Sequence, residues 1–214
     1  MAYIQIDGLC KDIAGMPILK DINLCMTPGK IYGLRGKNGC GKTMLLRSIC
    51  GLIAPTKGTI TIDDKILHKD IAIPESIGAL IENPAFLDEY TGQQNLQILA
   101  ELGGIRSKEV VINALERVGL TEDCSKLYRK YSLGMKQKLG IANAIMNEPD
   151  IIILDEPINA LDEDSVGVIR NSLFELRDKG SLIIVACHDR EELDYLSDEI
   201  YVMAHGEIIR KENS

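Results

Sequence analysis

No apolar run in this 214-residue sequence approaches the roughly 20 residues that a helix needs to cross a bilayer. The longest, such as Ile151–Leu154 and Leu182–Cys187, are far shorter. The opening stretch Met1-Ala2-Tyr3-Ile4-Gln5-Ile6-Asp7 has neither the basic start nor the apolar segment of a secretory leader, so a cytoplasmic location is expected. Paired cysteines are missing as well. Cys10, Cys25, Cys40, Cys50, Cys124 and Cys187 are scattered without a Cys-x-x-Cys, which supports neither a disulfide framework nor a zinc site. They are expected to be mostly small buried hydrophobes in a reducing compartment. Basic residues are in deficit, 24 Lys and Arg against 32 Asp and Glu, and the net charge of -8 argues against broad binding to nucleic acid or anionic lipid. Repeats and low-complexity segments are also lacking.

What is present is an ordinary globular balance, 45% hydrophobic and 26% charged, at a length that suits a single domain over 1–214. Tyr3–Ile6, Ile22–Met26, Ile31–Leu34 and Thr59–Ile62 are short strand patterns separated by turns such as Thr27-Pro28-Gly29, and predict a largely antiparallel sheet at the front. From Tyr90 to Gly119 the spacing becomes helical. Leu96, Leu99, Ala100 and Leu102 mark one helix, Val110, Val111, Ala114, Leu115 and Val118 a second, with Gly103-Gly104 between them. A further helix is predicted over Leu133–Met146. Ile151–Leu154 and Leu182–Ala186 then have the continuous apolar character of buried parallel strands, with a helix over Arg170–Lys179 between them. Glu199–Val202 and Glu207–Ile209 predict a closing hairpin around His205-Gly206, with no accessory domain expected after it.

Gly36-Lys37-Asn38-Gly39-Cys40-Gly41-Lys42-Thr43 fits G-x-x-x-x-G-K-[ST] in full, after an apolar strand and before the helical Met44–Cys50. Its glycines let backbone N–H groups turn inward onto phosphates, and the helix start adds the positive end of its dipole. Lys42 can reach the β- and γ-phosphates of ATP and Thr43 can ligate magnesium. A chance glycine-rich turn would match in about one chain in a hundred of this length. Cys40 has no evident chemical role in the loop.

Ile151-Ile152-Ile153-Leu154-Asp155-Glu156 is an apolar strand ending in two acids. Successive strand residues point to opposite faces, so the two acids do different work. Asp155 is placed to hold magnesium and Glu156 to orient or deprotonate the attacking water. His188 follows an apolar strand at the end where ligands collect in parallel sheets. His68 and His205 are assigned no function.

Together the phosphate loop, Tyr131-Ser132-Leu133-Gly134-Met135-Lys136-Gln137, Leu154-Asp155-Glu156-Pro157, Asn159-Ala160-Leu161-Asp162 and His188 resemble the ABC-type ATPases that power membrane transporters, over nearly the whole chain. The resemblance implies an α/β P-loop NTPase core with a mainly parallel sheet, an antiparallel β subdomain and an inserted helical subdomain near 84–146. It implies a head-to-tail dimer, homo- or heteromeric, in which Ser132 and Gly134 reach the partner's γ-phosphate and Asp162 helps align the pair. It also implies separate transmembrane subunits, a position on the inner face of the membrane, and docking near Glu82–Leu96, where Asn83, Phe86 and Tyr90 are either contacts or part of this domain's own core.

Four positions depart from the family pattern. Leu133 and Met135 replace a glycine and a glutamine of the usual signature. Glu82 stands where a glutamine contacts magnesium and water. Ile13 stands where an aromatic ring stacks on adenine. The Ser-Leu-Gly-Met-Lys-Gln form and Glu82 resemble the bacitracin- and lantibiotic-resistance branch, which implies export of antimicrobial peptides. A soluble ABC-type machine is the alternative, but the coiled-coil insertions or duplicated halves that would mark one are missing.

Overall fold

The computed structural model describes residues 3–213; Met1 and Ala2, part of the stretch read above for a leader, lie outside it. The chain opens with a long hairpin of β1 (Ile4–Ile13) and β2 (Met16–Met26), joined by the left-handed pair Ala14 and Gly15. Only its two ends were expected from the sequence. Register shifts between Ile6 and Leu9, Leu9 and Lys11, and Lys11 and Asp12 break the alternation that would have marked its middle. Pro17 is tolerated because β2 is an edge strand.

β3 (Ile31–Arg35) leads into α1 (Lys42–Ile49), after which β4 (Lys57–Ile62) and β5 (Lys65–Ile66) complete an antiparallel sheet of order β2-β1-β4-β5. β3 does not belong to that sheet, contrary to the expectation for Ile31–Leu34. Its residues Ile31 to Leu34 are all buried, as in a strand covered on both faces, and it sits inside the second sheet.

β6 (Ile77–Leu80) precedes α2 (Gly92–Leu102), α3 (Lys108–Arg117) and α4 (Leu133–Ile145). Thr91 and Gln94 cap α2 reciprocally, and a short 3₁₀ turn over Tyr128–Lys130 leads to α4. β7 (Ile151–Asp155), α5 (Glu163–Asp178), β8 (Leu182–Cys187), α6 (Arg190–Leu196), β9 (Glu199–Ala204) and β10 (Glu207–Asn213) follow. The second sheet runs β10-β9-β3-β8-β7-β6, parallel throughout except for β10 against β9.

This sheet separates two cores. Ile152 and Leu154 of β7 pack with Leu96, Leu115, Leu139 and Leu173 on the helical side. Ile151 and Ile153 pack with Ile4, Leu45 and Ile49 on the side of α1 and the antiparallel sheet. The alternation decides where chemistry can occur: continued by one more residue, it turns Asp155 toward α1.

Candidate nucleotide site

The loop between β3 and α1 is shaped by close approaches. A Cβ on Gly36 would lie 2.4 Å from the Met203 carbonyl oxygen and 2.6 Å from the Cys40 sulfur. Gly39 and Gly41 hold φ of 79° and 112°, which glycine adopts readily. Cys40 is buried, which gives it a packing role. Gly41 is the N-cap of α1 and no side chain caps it, so the first-turn N–H groups are available to an anion. Lys42 is buried, and its ammonium donates to the Gly36 carbonyl at 2.7 Å.

One cleft of about 490 Å³ brings together Gly39, Gly41, Lys42, Thr43, Glu82, Asp155 and Glu156. The Thr43 hydroxyl donates to Asp155 Oδ2 at 2.6 Å, as the packing of β7 against α1 allows. Burial raises the Asp155 carboxyl above its ordinary pKa. The Thr43 hydrogen bond opposes this, Glu156 adds to it, Lys42 opposes it and Glu82 adds to it. A buried carboxylate, a hydroxyl and neighbouring carboxylates form a hard, all-oxygen donor set, so these residues fit a magnesium ion.

Glu156 leaves the strand with φ 50°, and its N–H donates to the Ala186 carbonyl at 2.8 Å. Its Oε2 lies 2.8 Å from His188 Nδ1, so the two residues from adjacent strand ends form a pair. Glu82 also has left-handed backbone, φ 63°. Its carboxylate accepts from Arg47 on α1 at 2.7 Å, a partner that the sequence did not suggest. Glu82→Gln should release Arg47 and remove a charge near Asp155. The magnesium concentration for half-maximal hydrolysis is expected to rise about threefold with ATP affinity unchanged, the effect of one partly screened charge. An unshifted magnesium titration would place Glu82 with Arg47 and away from the metal.

The other expected residues lie elsewhere. Ile13, 42% exposed beside the hairpin turn, is absent from the cleft lining, whereas Ile18 on β2 contributes to it. Lys37, Asn38 and Cys40 border a second opening against β9 that includes His205, and Asn38 lines both. Ser132 is the N-cap of α4, accepting from the Met135 N–H at 3.2 Å. Gly134 packs against the 159–162 loop, where a Cβ would lie 2.8 Å from the Ala160 carbonyl oxygen. Asp162 caps α5 by accepting from the Ser165 N–H at 2.8 Å, and its hydrogen bonds with Ser165 lower its pKa. Ser132, Gly134 and Asp162 do not line this chain's own cleft.

One positioning residue was missed. Gln137 is buried, and its Nε2 donates to the carbonyls of Glu156 and Pro157, both at 3.1 Å, which fixes the backbone behind the acid. It stands inside a quoted motif, but nothing in helical spacing says that it reaches the next strand's end.

A phosphate-shaped loop, a cation-fitting carboxylate and an acid–histidine pair converge on one parallel sheet, and comparison with known proteins gives that arrangement its class. The family model described as ABC transporter matches residues 19–159, and the chain belongs to that family as an ATP-binding, ATP-hydrolysing transporter subunit. Among its relatives is YybJ of Bacillus subtilis, an ABC transporter ATP-binding protein, 43% identical over 96% of this chain and 94% of that protein. The bacitracin transport ATP-binding protein BcrA of Enterococcus faecalis is 42% identical over 98% of this chain and 69% of its own length. The lantibiotic transport ATP-binding protein SrtF of Streptococcus pyogenes is 31% identical over 96% of this chain and 89% of its own. A solved ATP-binding subunit of an ABC transporter matches with a TM-score of 0.89 at 25% identity, covering 99% of this chain and 90% of that one.

Proposed function

We propose that this subunit hydrolyses ATP with magnesium to drive export of peptide antibiotics of the bacitracin and lantibiotic kind. The observation that carries the hydrolytic reading is the Glu156–His188 pair at 2.8 Å, whose carboxylate member lines the cleft that Thr43 and Asp155 also border. The backbone N–H groups of Gly36 to Thr43 hold the β- and γ-phosphates, and Lys42 turns from the Gly36 carbonyl toward them. Thr43 and Asp155 would hold magnesium, with Glu82 beside them, and magnesium there would supply positive charge to the phosphate oxygens. Glu156 accepts the proton of the attacking water, while His188 orients the Glu156 carboxylate through Nδ1 and leaves Nε2 for the γ-phosphate. Gln137 keeps the Glu156 backbone in place. Ile18, the hairpin residue that lines the cleft, offers adenine only apolar contact, so base selectivity should be weak.

The residues outside the cleft find their use in a head-to-tail pair, of two copies or of this chain with a homologous one. The Ser132 hydroxyl and the N–H groups at the start of α4 would meet the partner's nucleotide, and the 159–162 loop with Asp162 would align the two subunits. Leu133, 62% exposed at that helix start, would be covered in the process.

Among the described residues no helix is long and apolar enough to cross a membrane. As in transporters of this family, the crossing would fall to separate transmembrane subunits, with this chain attached at the inner face. Docking would use the segment after Glu82, where Tyr90 is 43% exposed and Phe86 packs on Tyr128 with ring centroids 5.3 Å apart. Affinity purification from gently solubilised membranes tests this: a polytopic membrane protein is expected to accompany the chain. Recovery with soluble partners alone would overturn the transporter reading and leave the ATPase chemistry standing.

A further inference from the structure

β7 and β8 are hydrogen-bonded neighbours with Asp155 opposite Ala186, so the next residues of the two strands also meet. Those residues are Glu156 and Cys187, and His188 follows directly. One carboxylate oxygen, the cysteine sulfur and one imidazole nitrogen lie within 4.8 Å of one another. The sulfur accepts a hydrogen bond from the Asp189 N–H at 3.3 Å, which aims partial positive charge at it. The His188 side chain is 57% exposed, so the group opens to solvent on the side of the histidine. Burial pushes the Cys187 thiol up to about 12, and no step described above uses it.

We propose that Glu156, Cys187 and His188 form a three-ligand site for a thiophilic divalent cation of the zinc class, separate from the Thr43–Asp155 position. One sulfur, one nitrogen and one oxygen are the donor types zinc accepts, whereas magnesium takes oxygen ligands. Tetrahedral bonds of about 2.0–2.3 Å put ligand atoms roughly 3.5 Å apart. The 2.8 Å Glu156–His188 contact therefore opens slightly and the sulfur closes in. Binding releases the thiol proton to solvent, takes His188 as the neutral imidazole and leaves the fourth position to water. Ligand spacing along the sequence could not reveal the site, because its carboxylate comes from the neighbouring strand. A cation held there occupies Glu156, so hydrolysis stops while the phosphate loop stays free to bind ATP. That inhibition rests on the role proposed above for Glu156; the binding does not.

Cobalt(II), a spectroscopic surrogate for zinc, tests the binding on the full nucleotide-free chain. A thiolate-to-cobalt charge-transfer band at one equivalent is expected in the wild type and absent in both Cys187→Ser and Cys187→Ala. Both variants should keep magnesium-dependent hydrolysis, which also reports that they fold. Losing an outer-shell partner already costs about 10- to 100-fold in metal affinity. Removing the sulfur should therefore raise the half-inhibitory zinc concentration at least about tenfold in excess magnesium. A band that persists in both variants, from another of the six cysteines, would overturn the site. So would zinc inhibition that is equal in all three proteins and relieved by magnesium. A Cys187-dependent band without zinc inhibition would support the site and overturn the role of Glu156.

Discussion

Glu156→Gln should keep ATP bound while hydrolysis falls by about 10²- to 10⁴-fold, the usual contribution of a positioned base. The amide matches the carboxylate in size and can still accept from His188 Nδ1, and the Gln137 bonds to the backbone behind it are unaffected. Only the ability to take a proton is lost. Single-turnover hydrolysis and nucleotide binding measured on the same preparation separate the two effects, and turnover within tenfold of wild type would exclude Glu156 as the base. The same variant addresses the dimer. With hydrolysis blocked, ATP should drive it to twice the monomer mass in light scattering. A mass that stays monomeric would exclude the pair of two copies and assign the roles of Ser132, Gly134 and Asp162 to a pair with a homologous chain.

Gly78→Ala should be the most damaging single methyl group that can be added to the second sheet. Its Cβ would lie 1.7 Å from the Ala144 carbonyl oxygen, 2.7 Å from the Ala144 carbonyl carbon and 3.0 Å from the Pro149 ring. Helix backbone and a proline ring cannot rotate away, so β6 and α4 must separate. Overpacking of this kind costs about 1–3 kcal/mol, and rigid neighbours favour the upper end. β6 leads to Glu82 and α4 carries Gln137, so the displacement reaches the cleft as well. Urea unfolding measures the loss. Gly167→Ala serves as a control, because its Cβ would meet nothing within 4 Å on α5, and the gain should be about 0.5–1 kcal/mol. A loss below about 0.5 kcal/mol for Gly78→Ala would mean that β6 and α4 are not in direct contact.

The features legible in the sequence were those whose cause is local. Gly36–Thr43 and the run from Ile151 to Glu156 carry their own spacing, and strand parity set Asp155 and Glu156 on opposite faces. The helices around Gly103-Gly104 were equally plain, since Leu96, Ala100, Val111 and Leu115 repeat at helical intervals and are buried. What escaped depends on distant partners. β6 is four residues with a glycine and an alanine inside, and it is a strand because β7 pairs with it and α4 lies against Gly78. Ile31–Leu34 looked like its antiparallel neighbours because strand propensity does not name a sheet. α6 has seven residues, too few for periodicity, although Asp189 caps it by accepting from the Glu192 N–H. In the site, the Arg47–Glu82 pair, the reach of Gln137 and the meeting of Cys187 with Glu156 all join segments that only the fold brings together.

The left-handed backbone at Glu82 and Glu156 has a consequence for how such a domain can be improved. Each residue holds a conformation that disfavours its side chain by about 1 kcal/mol and that glycine or asparagine would accept more easily. Selection for heat resistance alone would therefore drift toward those residues at the two positions where carboxylates line the cleft. A hardened variant obtained that way would have traded chemistry for melting temperature, so a thermostability screen on this chain has to be run with ATP turnover as a second filter.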